Sequence, residues 1–410
     1  MLFANEQALL ADYPSELKSV MSMAKAEESR KWLSTWDGIN PSATPLYSLK
    51  GLARSLGVGQ VLLKDESIRS DLGSFKALGA PIALVRLILR LWPEKKLDPQ
   101  RMFAGAYKSE LSDFTVISAT DGNHGKGLAA AARSIGCRCV IVLHANVSSE
   151  REEAIAAYDA EIVRIKGNYD ESVEEAARLA KENGWHVVSD TSYEGYEEIP
   201  RDVMQGYGTV AAEIVEALAK SSLPITHVLL QGGVGGLAAG ILSYLWESYG
   251  ANRPRAVIVE PEQADCLIQS AIQGKAAKAT GSVDSVMAGL ACGETSPLAW
   301  RFLSVGADFF MTVKDDAAVD AMRVLAGGNE LDPPIVSGES GAAGLAGLMQ
   351  LMRAPELARQ VGLTADSNVL LISTEGATAP SVYEELVGNS ATEILSRQQS
   401  FLGRISPRYA

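Results

Sequence analysis

Nine short apolar runs, spread along almost the whole chain, constrain the fold more than any other feature. They are QVLLKDE (60–66), FTVISAT (114–120), CRCVIVLHA (137–145), AEIVRIKG (160–167), WHVVSDT (185–191), THVLLQGG (226–233), RAVIVEPE (255–262), DFFMTVKD (308–315) and NVLLISTEG (368–376). Their apolar residues are consecutive rather than alternating, the pattern of strands buried on both faces. Helical stretches separate them. SSEREEAIAAYDA (148–160) is one; DESVEEAARLAKENG (170–184) is another, with Asp170 expected as its cap and Asn183-Gly184 as its stop. Strand–helix alternation over this length predicts an α/β chain of mostly parallel sheets flanked by helices. Nine strands fit two sheets better than one. The four runs from 114 to 191 form a compact group, so two domains are expected: 1–85 with 205–410 as the larger, and 86–204 as a smaller inserted α/β domain.

The 410 residues, 47% hydrophobic, can bury one large core or two. A net charge of −13 argues against nucleic acid and acidic membrane surfaces as partners, while a local site can still take a small anion. No apolar run approaches the roughly 18 residues of a membrane span. The start, MLFANEQALLADYP, has no basic region followed by an apolar core, so a cytoplasmic enzyme is expected. Cys137, Cys139, Cys266 and Cys292 contain no CxxC pair and read as free thiols; a Cys266–Cys292 bridge stays open. His124, His144, His186 and His227 show no metal-binding spacing, and no metal is expected.

Several short stretches carry chemistry. GSFKALG (73–79) places Lys76 just ahead of an apolar helical run. A helix N-terminus and partial burial both disfavour its charge, so a lowered pKa and a nucleophilic neutral amine are expected. QGGVGGLAAG (231–240) follows a strand and opens a helix; its glycines can turn successive N–H groups toward a phosphate. The same stretch imitates a dinucleotide fingerprint, with Glu260 at the end of the next strand, and so keeps a nicotinamide oxidoreductase in play. ATDGNHGKG (119–127) is a second strand–turn–helix, an anion site by its N–H groups, yet it carries Asp121. Asp190 closes the WHVVSDT strand; Glu339 and Ser340 lie in the glycine-rich VSGESGAAG (336–344); Ser373 and Thr374 close another strand. VSGESGAAG narrowly misses the hydrolase nucleophile elbow, and no Ser–His–Asp set accompanies it.

Together these stretches resemble the pyridoxal-phosphate enzymes of the tryptophan synthase β / threonine dehydratase fold (fold type II). The resemblance implies that Lys76 holds the cofactor as a Schiff base and that Gly232, Gly233, Val234, Gly235 and Gly236 cradle its phosphate. It makes Asn123 the partner of the ring hydroxyl and gives the pyridine nitrogen a hydroxyl from Thr374 or Ser373. Within that fold, ATDGNHGKG, DTSYEGYEEIP followed by VMQGYGT, MAGLACGE and STEGAT resemble the diaminopropionate ammonia-lyase family. That implies α,β-elimination of D- or L-2,3-diaminopropionate to pyruvate and ammonia by a homodimer. Thr120, Asp121, Gly122, His124, Ser337 and Glu339 are then the candidate substrate contacts, and Lys76, Asp121 and Asp190 the catalytic set. The chain departs from the family pattern at Ala377, where an acid is expected.

Asp121 separates this reading from a serine, threonine or hydroxyaspartate dehydratase, in which a small hydroxyl residue usually precedes GNH. A β-ammonium group is a cation, and a nearby carboxylate attracts it; a leaving hydroxyl gains nothing comparable. Two bases, Lys76 and Asp121, on opposite faces of the substrate would let one site process both enantiomers.

Overall fold

The structure, a computed structural model, describes residues 1–405 other than 121, 146 and 222. Each apolar run contributes a strand, and two further three-residue strands join them. In chain order they are β1 (Leu2–Ala4), β2 (Leu46–Ser48), β3 (Gln60–Asp65), β4 (Thr115–Ala119), β5 (Arg138–Leu143), β6 (Glu161–Arg164), β7 (His186–Val187), β8 (His227–Gln231), β9 (Arg255–Pro261), β10 (Phe309–Val313) and β11 (Asn368–Ser373). Seven form one sheet in the order β1-β10-β9-β8-β11-β3-β2, and four form another in the order β6-β5-β4-β7. The smaller sheet is all parallel. The larger is parallel through its five central strands, with antiparallel edges at β1 and β2.

Two-sided burial explains the unbroken apolar runs. Along β11, Leu370 and Ile372 enter one core cluster and Val369 and Leu371 another on the opposite face. β8 divides in the same way, Val228 and Leu230 against Leu229. The first cluster also takes Val116, Ile141 and Leu143 from the smaller sheet, so one apolar layer joins the two sheets. Helices Ala80–Leu91, Asn123–Ile135 and Glu198–Ser221 fill that layer. The expected domain limits, 85/86 and 204/205, fall inside the first and third of these helices.

Local signals behave as their chemistry dictates, with one correction. The helix Tyr169–Asn183 is capped by Asn168, not Asp170: Asn168 Oδ1 accepts from Glu171 N–H (3.0 Å), and the Glu171 carboxylate accepts from Asn168 N–H (2.7 Å). It ends at Gly184 in the left-handed region, φ 68°. The carboxyl ends of β3, β4, β7, β8 and β11 deliver the loops that carry the candidate residues, as open parallel sheets do.

Candidate active site

Lys76 does not open a helix. It lies in a 3-10 turn, Phe75–Leu78, and Ala80–Leu91 begins only after Gly79. A short antiparallel ladder fixes this turn to the end of β11. Phe75 N–H donates to the Thr374 carbonyl (3.0 Å), Gly376 N–H donates to that of Gly73 (2.9 Å), and Ser74 bridges to Glu375. The Lys76 ammonium pairs with Asp190 Oδ2. Burial opposes its charge, but the Asp190 carboxylate outweighs burial and holds the amine above the ordinary lysine range. The expectation of a lowered pKa is therefore corrected for this state: Lys76 is a cation held by a counter-charge. Asp190 shows the converse; burial pushes it up, and Lys76 and then His124 pull it below the usual carboxylate range.

Asp190 also faces His124, with Nδ1 3.8 Å from Oδ2. His124 Nε2 donates to the Val188 carbonyl (2.9 Å), which fixes the tautomer. Burial lowers the imidazole pKa, so Nδ1 carries a lone pair; it is buried and has no hydrogen-bond partner among the described residues. Lys76, Asp190 and His124 thus form one cluster contributed by both sheets.

The turn before His124 is ordered by Thr120, whose Oγ1 accepts from Gly122 N–H (3.2 Å) and Gly125 N–H (3.3 Å). Thr120 shapes the turn, and the N–H groups of Asn123 and His124 head a thirteen-residue helix without a side-chain cap. Asp121 lies outside the described residues.

The glycine turn after β8 is adjacent. Gly233 and Gly235 have φ of 60° and 101°, a conformation that side chains resist. Gly232 N–H donates to Val259 and Gly235 N–H to Gly232, whereas Gly233, Val234 and Gly236 N–H donate to no oxygen among the described residues. A Cβ on Gly236 would sit 4.0 Å from the Asp190 carbonyl oxygen, and one on Gly233 would sit 3.7 Å from Cys292 Sγ. Cys292 in turn acts electrostatically on Lys76. The turn and the lysine therefore share one cleft.

Glu260 does not reach that cleft. It is fully buried beneath Gly232 and accepts from Leu267 N–H and Ile268 N–H, both at 2.8 Å, at the start of helix Cys266–Gln273. An acid that caps a helix in the core is not available to a ribose, which removes the dinucleotide reading. None of the four cysteines is in a disulfide, so Cys266 and Cys292 are not bridged; Cys266 Sγ lies 3.4 Å from the Gly233 carbonyl.

At the end of β11, Ser373 Oγ donates to Ser337 Oγ (2.8 Å), and both residues are fully buried. Ser337 therefore supports the strand end. The Thr374 hydroxyl makes no hydrogen bond among the described residues. Glu339 is 5% exposed, and burial together with the charge of Glu375 pushes its pKa to about 7. Glu375 was missed by the sequence reading, although it stands inside the STEG stretch. Its Oε2 accepts from Asn123 Nδ2 at 2.6 Å. Ser74 was also missed: its Oγ, two residues before Lys76, is buried with no hydrogen-bond partner among the described residues. Ala377, where an acid was expected, packs against the second core cluster.

Residues 40–375 match the family described as pyridoxal-phosphate dependent enzyme. Diaminopropionate ammonia-lyase of Escherichia coli is 39% identical over 92% of this chain and 94% of its own. The Salmonella typhimurium protein of the same name is 39% identical over 85% and 89%. A crystal structure of the Escherichia coli enzyme in complex with an aminoacrylate-PLP azomethine reaction intermediate superposes with a TM-score of 0.84 at 37% identity, covering 94% of this chain and 96% of that one. The chain belongs to the pyridoxal-phosphate-dependent enzymes, in the diaminopropionate ammonia-lyase family. Its two sheets are those of fold type II.

The residues present fit the cofactor of that family. A primary amine at 76, a glycine turn with three N–H groups that find no acceptor among the described residues at the head of a fourteen-residue helix, and buried polar atoms on Ser74 and His124 with no partner among those residues are what an aldehyde with a phosphate would complete.

Proposed function

We propose that this chain is a pyridoxal-phosphate-dependent ammonia-lyase that eliminates ammonia from D- or L-2,3-diaminopropionate, leaving pyruvate and a second ammonia after hydrolysis. Lys76 would hold the cofactor, Gly232, Gly233, Val234, Gly235 and Gly236 its phosphate, Asn123 its ring hydroxyl, and Thr374 or Ser373 its ring nitrogen. Bound there, pyridoxal phosphate supplies an electron sink that acidifies the substrate Cα–H.

The observation that carries the substrate assignment is the Asp190 carboxylate held against Lys76, both side chains largely shielded from solvent. Glu375, in the ladder that anchors the Lys76 turn, and Glu339, electrostatically coupled to it, add two buried acids. A carboxylate within about 4 Å of a β-ammonium, in a partly dry site, favours it by an energy on the order of several kcal/mol. It offers a leaving hydroxyl no such gain. The N–H groups at the head of helix Asn123–Ile135 suit the substrate carboxylate. Once neutral, Lys76 Nζ would remove the Cα proton from one face, with Asp190 Oδ2 beside it to stabilise the resulting ammonium. His124 Nδ1, a buried lone pair next to Asp190, stands ready to accept a proton from the substrate side. Asp121 is assigned to the opposite face on its place in the sequence alone.

Residues 86–204 would form the smaller inserted unit, supported by the grouping of its four strands into one sheet, and the enzyme would work in the cytoplasm as a homodimer, the latter supported by the family resemblance. Coupled pyruvate assays on D- and L-diaminopropionate and on serine test the proposal. Turnover of either diaminopropionate well above that of serine is expected; a clear preference for serine would replace it with a dehydratase.

A further inference from the structure

The ladder that anchors the Lys76 turn also holds a buried carboxylate to which the proposed chemistry gives no role beyond its charge. Glu375 lies between the two hydrogen bonds that tie Thr374 to Phe75 and Gly376 to Gly73, and it bridges Ser74. Its side chain reaches across to the helix of the smaller sheet. Asn123 Nδ2 donates to Oε2 at 2.6 Å, and Ser340 N–H donates to Oε1 at 3.3 Å. Both oxygens accept, which the ionised form, an acceptor at every lone pair, does best, although burial raises the pKa of this carboxyl above the ordinary range. Burial works against that charge; the Ser340 and Asn123 bonds and Arg151 support it. Glu339, from the neighbouring turn, is a second acid, its pKa raised to about 7 by burial and the charge of Glu375. One side chain therefore joins the Lys76 turn, the 338–341 turn and the first residue of helix Asn123–Ile135.

We propose that Glu375 is a positioning residue that fixes the Asn123 amide for the cofactor's ring hydroxyl and, through its charge, strengthens proton binding at the Lys76-linked nitrogen. The proposal rests on the assignment of Asn123 to the ring hydroxyl. An asparagine amide has two N–H bonds and a carbonyl oxygen. With one N–H held by Glu375, the amide plane is set, and the second N–H and the oxygen remain available. A negative charge one hydrogen bond away favours a proton on nearby nitrogen.

The test is a pH titration of the visible absorption of the holoenzyme in wild type, Glu375→Gln, Glu375→Asp, Asn123→Ala and the Gln/Ala double variant. Glu375→Gln keeps the shape and removes the charge; its spectral midpoint should fall by about one pH unit, a tenfold loss of proton affinity. In the Asn123→Ala background the same substitution should add much less. Should Glu375→Gln not fold, Glu375→Asp, too short to hold Asn123, should move the midpoint in the same direction by a smaller amount. An unchanged midpoint in the folded Glu375 variants, with a shifted Asn123→Ala, overturns the role of Glu375 and leaves Asn123 in place. An Asn123→Ala spectrum identical to wild type removes the Asn123 assignment and the inference with it.

Discussion

At position 76 a lysine carries both the proposed cofactor attachment and a buried charge. Lys76→Ala should abolish borohydride-fixed cofactor and lower turnover by roughly a thousandfold or more, since attachment and proton transfer are lost together; labelling equal to wild type would move the attachment elsewhere. A lysine in an unusual, apolar setting was legible in GSFKALG, but its protonation was not. That depends on Asp190, more than a hundred residues away and invisible to any local pattern. Glu339 offers a cleaner titration. Burial and the Glu375 charge raise its pKa to about 7, against 4.5 for the unperturbed group. The folded protein thus holds this proton more tightly than the unfolded chain. The associated stability is fully present below about pH 4.5 and is lost as pH rises through about 7, by at most about 3 kcal/mol. Urea midpoints of the cofactor-free protein at pH 5 and pH 8 should therefore separate more for wild type than for Glu339→Gln, to about the extent that this linkage predicts. Equal separations would place Glu339 in a more solvated setting.

Among the elements, the glycine turn between β8 and helix Gly236–Tyr249 was the most legible, because composition alone marks backbone that must approach something closely. Two further details needed coordinates. Gly235 combines φ 101° with a Cβ position 3.0 Å from both Ala299 and Leu303, while Gly233, at φ 60°, would meet nothing nearer than 3.5 Å. Gly235→Ala should weaken binding of pyridoxal phosphate by roughly ten- to a hundredfold, the equivalent of the 1–3 kcal/mol typical of strained backbone. Gly233→Ala should lose less. Equilibrium dialysis of the two variants decides it, and the reverse order would mean that the turn is not shaped as described. Glu375 shows the opposite kind of residue. Nothing in STEG separates a catalytic acid from a loop acid; only its contact with Asn123, from the other sheet, singles it out.

For the molecule as a whole, the alternation of apolar runs with helices was enough to foresee two mostly parallel sheets, because two-sided burial writes itself into consecutive residues. The edges β1 and β2 escaped notice, being three residues long and antiparallel. A buried ionic cluster escaped as well, since the run QVLLKDE gives no sign that its lysine lies inside. Lys64 Nζ meets Glu213 Oε2 at 2.5 Å, and Arg69 grips both carboxylates, Glu213 at 2.7 and 2.8 Å and Glu66 at 2.8 and 2.9 Å. All four are at most 5% exposed. Two cations against two anions make the cluster neutral, and it fastens β3 and the start of the Lys76 loop to the long helix Glu198–Ser221. Glu213→Gln keeps the volume but leaves a net positive charge in the core, so a loss of roughly 3–5 kcal/mol in unfolding free energy is expected. Glu216, three residues on and paired with Arg30 near the surface, is the control: its side chain is 56% exposed, and Glu216→Gln should change stability by less than about 1 kcal/mol. If chemical denaturation gave the two variants equal losses, the cluster would not be the clamp that joins the lysine loop to the helical layer, and the rigidity of the Lys76 turn would have to come from its ladder with β11 alone.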